Sequence, residues 1–76
     1  MIYELYSIRD EVEDAYFEPQ LFRNEETAKR YFRDLCNKEG TKIGDHKQDF
    51  SIWYLGKYDM KEGQIEAIVP KLVERG

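Results

Sequence analysis

Only one stretch of this chain repeats its apolar residues at helical spacing, and it lies between two stretches that alternate. Ala28, Phe32 and Leu35 recur at i, i+4 and i+7, and Tyr31 and Cys36 widen the stripe. Asn24 is a good N-cap, Glu25 and Glu26 suit the positive end of a helix dipole, and Gly40 after Lys38 is a stop. A helix over 25–38 follows. Before it, residues 2–9 set Ile2, Glu4, Tyr6 and Ile8 against Tyr3, Leu5, Ser7 and Arg9. Neither set is purely polar, which predicts a central strand. After it, Phe50, Ile52, Tyr54 and Gly56 alternate with Ser51, Trp53, Leu55 and Lys57. Asp59–Gly63 reads as a hairpin loop, with Gly63 able to take a positive φ, and residues 64–69 as the return strand, ended by Pro70. Residues 15–22 read as a further strand that Pro19 confines to an edge. Residues 10–14 and 41–49 read as solvated loops.

The expected fold is α+β, in the order β-(β)-α-β-β. It is a small, largely antiparallel sheet with one helix packed on one face. The 76 residues form a single domain, 1–76, with an ordered core of about 2–69 and a tail over 70–76. A domain this small buries only about 60% of its unfolded surface. One helix covers one face, and nothing remains to cover the other. That open face is the reason to expect a partner, and a homo-oligomer formed through it or through an edge strand is one solution. Cys36 is the only cysteine, so no disulfide forms within the chain, and with His46 the only histidine a structural zinc site is not expected. The lone thiol, the absence of a signal peptide pattern and the absence of an apolar run of about 20 residues point to an intracellular chain with no membrane span.

The net charge of −4 disfavours broad tracking along duplex phosphates. The charge is unevenly spread. Residues 1–20 hold one basic and six acidic side chains, whereas residues 21–38 hold five basic and three acidic. Arg23, Lys29, Arg30 and Arg33 thus form a candidate ridge for backbone phosphates on the predicted helix, against the plainer reading of a solvated helix face. Trp53 and Leu55 form a second candidate. On the face opposite Phe50, Ile52 and Tyr54 they would meet a second subunit, and Trp53 alone could stack a base. With the opposite face assignment Trp53 is core. Cys36 on the apolar side of the helix reads as a buried small hydrophobe rather than a nucleophile. The acids from Asp10 to Asp14 match no calcium loop. No phosphate-cradling glycine loop and no hydrolase or metalloprotease motif occurs, so neither catalytic residues nor a metal or cofactor is expected.

Several short motifs gain weight from their order. Tyr6-Ser7-Ile8-Arg9-Asp10 opens the chain. An aromatic and proline stretch, Tyr16 to Asn24, precedes the helix, which carries Ala28-Lys29-Arg30-Tyr31-Phe32. Asp49-Phe50 leads to Gly56, then Tyr58-Asp59 and the hairpin Gly63. Over roughly residues 3–63 this pattern resembles the small nonstructural protein of the gokushovirus branch of the microviruses, phages with single-stranded DNA genomes. Two places depart from that family's pattern. Pro19 is followed by Gln20-Leu21-Phe22 rather than directly by Phe, and His46 is followed by Lys47 rather than Pro. The resemblance implies no catalytic residues. It implies a role in producing or packaging single-stranded phage DNA, in the host bacterial cytoplasm.

The leading expectation is therefore a nonenzymatic accessory protein that contacts single-stranded DNA or the replication complex. The alternative is a protein–protein module that binds a replication or procapsid protein without touching DNA. A small dimeric domain of host origin with an unrelated function is the third.

Overall fold

The structure, a computed structural model, describes all of residues 1–76. Its elements run β1 (Ile2–Asp10), β2 (Ala15–Tyr16), β3 (Gln20–Phe22), α1 (Glu25–Cys36), α2 (Lys42–Asp45), β4 (Phe50–Asp59) and β5 (Gln64–Arg75), with a 3-10 turn at Lys47–Asp49. All strand pairs are antiparallel, in the order β2-β1-β4-β5, and β3 pairs β1 on the same side as β2. The α+β class and the β-(β)-α-β-β order hold, and β1 is central as its two-sided pattern requires.

Helix α1 starts where its cap places it. Asn24 Oδ1 accepts from the Thr27 amide at 2.9 Å and from the Thr27 hydroxyl at 2.9 Å. Ala28, Phe32 and Cys36 are buried against Tyr6, Ile8, Phe50 and Ile52, and Phe22, Tyr31, Leu35, Ile43, Tyr54 and Val73 pack around them. One sheet face thus meets the helical layer. The helix ends at Cys36 rather than residue 38, with Asn37 as its C-cap.

Three expectations change. The stretch 41–49 is not a plain loop: Thr41 caps the single turn of α2 through a bond from the Gly44 amide to its Oγ1 at 3.0 Å. Asp10 is not solvated. It is 2% exposed, and its carboxylate accepts from the amides of Val12 at 3.0 Å and Glu13 at 3.2 Å, with Lys42 Nζ at 3.4 Å. Finally, there is no tail over 70–76. Strand β5 continues through Pro70 to Arg75, and the Gly76 amide donates to the Phe50 carbonyl at 3.0 Å. Pro70 is tolerated because β5 is an edge strand and because residues 68–70 bulge out opposite Leu55, so the missing N–H removes no ladder bond.

Strand β5, at 12 residues, is far longer than the 12-residue helix, since strands rise about 3.3 Å per residue and helices 1.5 Å. The hairpin of β4 and β5 therefore runs past α1 as an arm, and the chain measures 39 × 22 × 16 Å. Its turn is closed by the Gly63 amide on the Asp59 carbonyl at 2.8 Å, with Gly63 at φ 67°.

Candidate nucleic-acid interface

The register decides which residues share a face, because directly opposed residues of an antiparallel pair point the same way. In β1 the alternation is unbroken: Tyr6, Ile8 and Asp10 face the helix, and Tyr3, Leu5, Ser7 and Arg9 face away. In β4 it breaks. Tyr6 pairs with Tyr54 and Leu5 with Gly56, so Leu55 has no partner in β1 and the parity reverses beyond it. The even alternation read from Phe50 to Gly56 holds only as far as Tyr54. Gly56, at φ 143°, sits on the open face with Trp53, and a Cβ there would run into the Glu66 carbonyl.

Following the pairs across all five strands gives an open face of Tyr3, Leu5, Ser7, Arg9, Tyr16, Leu21, Ser51, Trp53, Gly56, Tyr58, Ile65, Ala67, Leu72 and Arg75. The side chains of the helical layer that pack into the core, those of α1 and the half-buried Ile43 of α2, all belong to the other side. The charges are sorted as well. The five carboxylates that take part in ladder pairs, Glu4, Asp10, Asp59, Glu66 and Glu74, lie on the helix side. The open side has no ladder carboxylate, two arginines and four aromatic rings, those of Tyr3, Tyr16, Trp53 and Tyr58. Tyr16 is 43% exposed and Ile65 63%, while Tyr3, Trp53 and Tyr58 are half-buried.

Arg9 is not a free cation. Its guanidinium lies 3.2 Å from Glu11, bonds Asp14 and sits 5.6 Å above the centre of the Tyr16 ring. Arg75 is exposed and has no carboxylate within ion-pair distance, so it is the unpaired charge of this face.

The predicted helix ridge looks different. Lys29 Nζ is 3.4 Å from Glu25 and 4.0 Å from Glu26, and Arg33 is held by Glu74 through two bonds of 2.7 and 2.8 Å. Only Arg23 and Arg30 of the four keep unpaired charges, both exposed. The structure therefore does not bring Arg23, Lys29, Arg30 and Arg33 together as a row of available cations. Trp53 lies on the face away from the helix, as read from its parity. Leu55 is half-buried at the bulge, outside the regular alternation. Nothing in the local sequence marks Tyr3, Tyr16, Tyr58 and Arg75 as site residues. Tyr58 changes face at a bulge that no local pattern announces, and Arg75 lies beyond Pro70.

Cys36 is buried in the core, and burial pushes its thiol pKa up, with Lys47 pulling the other way. The aromatics on the helix side are of a different kind. Burial, with the bond its hydroxyl donates to Glu4 at 2.8 Å, raises Tyr6 well above the usual tyrosine range. No group of three or more His, Cys, Asp or Glu side chains is placed to hold a metal ion, and no helix is long and apolar enough to cross a membrane.

A family model described as Phage ORF5 protein matches residues 3–76. The chain belongs to this phage protein family. The match takes in the open face from Tyr3 to Arg75, including all of β5 past Pro70. No curated protein and no solved structure matches the chain. The surface that distinguishes one side of the chain from the other is the uncovered sheet face, free of ladder carboxylates and rich in rings.

Proposed function

We propose that this phage protein is a nonenzymatic accessory factor in single-stranded DNA replication or packaging, acting in the host bacterial cytoplasm and binding single-stranded DNA across its uncovered sheet face. The observation that carries the reading is the sorting of charge through the sheet. In a chain of net charge −4, the ladder carboxylates lie on the helix side, and the open side carries four aromatic rings, the unpaired Arg75, and an Arg9 already paired with Glu11 and Asp14. Rings on a sheet accept unstacked bases of any identity, and a strand with paired and stacked bases cannot offer them. The likeness of Tyr6 to Asp10 and of Ala28 to Phe32 to the gokushovirus proteins supports the same setting.

The test is fluorescence anisotropy of labelled oligonucleotides at ~50 mM salt and above. Single strands bind in preference to duplex. Because Arg75 is the unpaired cation of the face and Arg9 is already engaged, one or two phosphate contacts form, and log K falls with log salt at a slope of about −0.7 to −1.4. A slope several times steeper would move the site to a larger cationic surface.

A second reading has its own observation. Leu5, Leu21, Ile65 and Leu72 share the open face, and aliphatic side chains do not stack bases. They favour a second copy of this chain, or a phage replication or procapsid protein, against the same surface. Edge pairing is the poorer route to a homo-oligomer, because β5 is interrupted by the bulge at residues 68–70, by Pro70 and by Lys71. Light scattering at high micromolar concentration separates the readings: dimer mass that oligonucleotide reverts to monomer places both partners on one face, and monomer mass throughout removes the second copy.

A further inference from the structure

On the open face five side chains form a closed circuit. The Trp53 indole Nε1–H donates to Ser51 Oγ at 2.8 Å. The Ser51 hydroxyl donates to Glu11 Oε1 at 2.7 Å, and Glu11 Oε2 accepts from Arg9 Nη1 at 3.2 Å. The Arg9 guanidinium lies over the Tyr16 ring, and Tyr16 meets Trp53 edge-on, centroids 6.1 Å apart at 81°. Ser51 is fully buried beneath this circuit. Such a chain fixes the indole in one orientation and uses up its single donor. What Trp53 can offer a ligand is then a ring surface and nothing to hydrogen-bond.

We infer that Ser51 and Glu11 are positioning residues that hold Trp53 as a preset stacking plane, so that this site takes a nucleobase by its face and reads no base edge. The inference rests on single-stranded DNA being the ligand of the face. Ser51 acts through the indole N–H, and Glu11 acts through Ser51, with Arg9 and Tyr16 closing the far side.

Trp53 is the only tryptophan, so its emission reports this site alone. Addition of unlabelled dT, dC or dA oligonucleotides quenches it, with affinities within about threefold of one another, since every base has a π-face. Trp53→Phe keeps a ring but loses the N–H that Ser51 orients, so it binds severalfold more weakly than wild type, whereas Trp53→Leu loses the stacking contact itself and binds about five- to 150-fold more weakly. Ser51→Ala weakens binding severalfold when Trp53 is present and leaves it unchanged in the Trp53→Phe background, where there is no N–H to orient. An equal effect of Ser51→Ala in both backgrounds makes Ser51 merely structural and overturns the inference. So does oligonucleotide binding, seen by anisotropy, that leaves Trp53 emission unchanged, and in that case the DNA reading itself stands. Absence of any oligonucleotide binding by the folded wild-type protein removes both.

Discussion

Arg33 and Glu74 stand 41 residues apart in the chain and meet as a forked pair, Nε to Oε2 at 2.8 Å and Nη2 to Oε1 at 2.7 Å. The pair clasps the last strand to the helix beyond Pro70, and it takes from the helix one of the cations that would have formed a phosphate ridge. The hydrogen bond and charge of Arg33 hold the Glu74 carboxyl below its ordinary value of 4.5.

That depression has a pH consequence. Glu74 binds a proton more readily unfolded than folded, so its contribution to stability is complete above about pH 4.5 and is lost as the pH falls through the lower folded value. Asp10 acts in the same sense. Burial raises its pKa, but the amides of Glu13 and Val12 and the charge of Lys42 outweigh that and lower it overall. In urea melts from pH 7 to pH 3, the stability gap between wild type and Glu74→Gln is expected to close as the pH falls, while both proteins keep the acid dependence due to Asp10. A gap independent of pH contradicts the clasp.

Phe32 carries the contact between helix and sheet. It is fully buried among Ala28, Phe50 and Ile52. Phe32→Ala should cost about 3–5 kcal/mol. Against the 5–15 kcal/mol typical of whole domains, and less for one this small, the variant should be largely unfolded by circular dichroism at 37 °C. A variant that melts within a few degrees of wild type would show that the core lies elsewhere.

Cys36 gives a probe of the same core. Burial raises its pKa, and the thiolate is the reactive form. A thiol reagent should label the native protein many-fold more slowly than the urea-unfolded protein. Equal rates would place Cys36 at the surface.

These residues also mark how far the sequence could be read. The spacing of Ala28, Phe32 and Leu35, with Asn24 as cap, was enough to place α1, and the two-sided pattern of residues 2–9 was enough to make β1 central. The far half of the site was hidden for two physical reasons. A bulge at Leu55 reverses the parity of everything after it, and a bulge depends on the partner strand rather than on local pattern. Pro70 reads as a stop, yet in an edge strand, inside a bulge, it costs no ladder bond, so β5 goes on to Arg75. On the helix, charge counting along residues 21–38 is enough to find the cations but not Glu74, which comes from the opposite end of the chain to pair with Arg33.

The helix variants follow directly. Replacing Lys29 and Arg30 together by Ala, which leaves the Arg33–Glu74 clasp intact, should change oligonucleotide affinity by less than about twofold, whereas Arg75→Ala should reduce the salt slope by about 0.7, one phosphate contact on a single strand. The reverse pattern, with the double variant losing the slope and Arg75→Ala neutral, would return the site to the helix.

Chemical-shift mapping of the isotope-labelled protein with a short dT oligonucleotide at ~50 mM salt locates the DNA site residue by residue. If DNA lies on the open face, the Trp53 indole and the amides of Tyr3, Tyr16, Tyr58 and Arg75 shift, and residues 25–36 of the helix do not move. Shifts confined to Arg23 and the helix from Lys29 to Arg33, with the Trp53 indole unmoved, would contradict that placement.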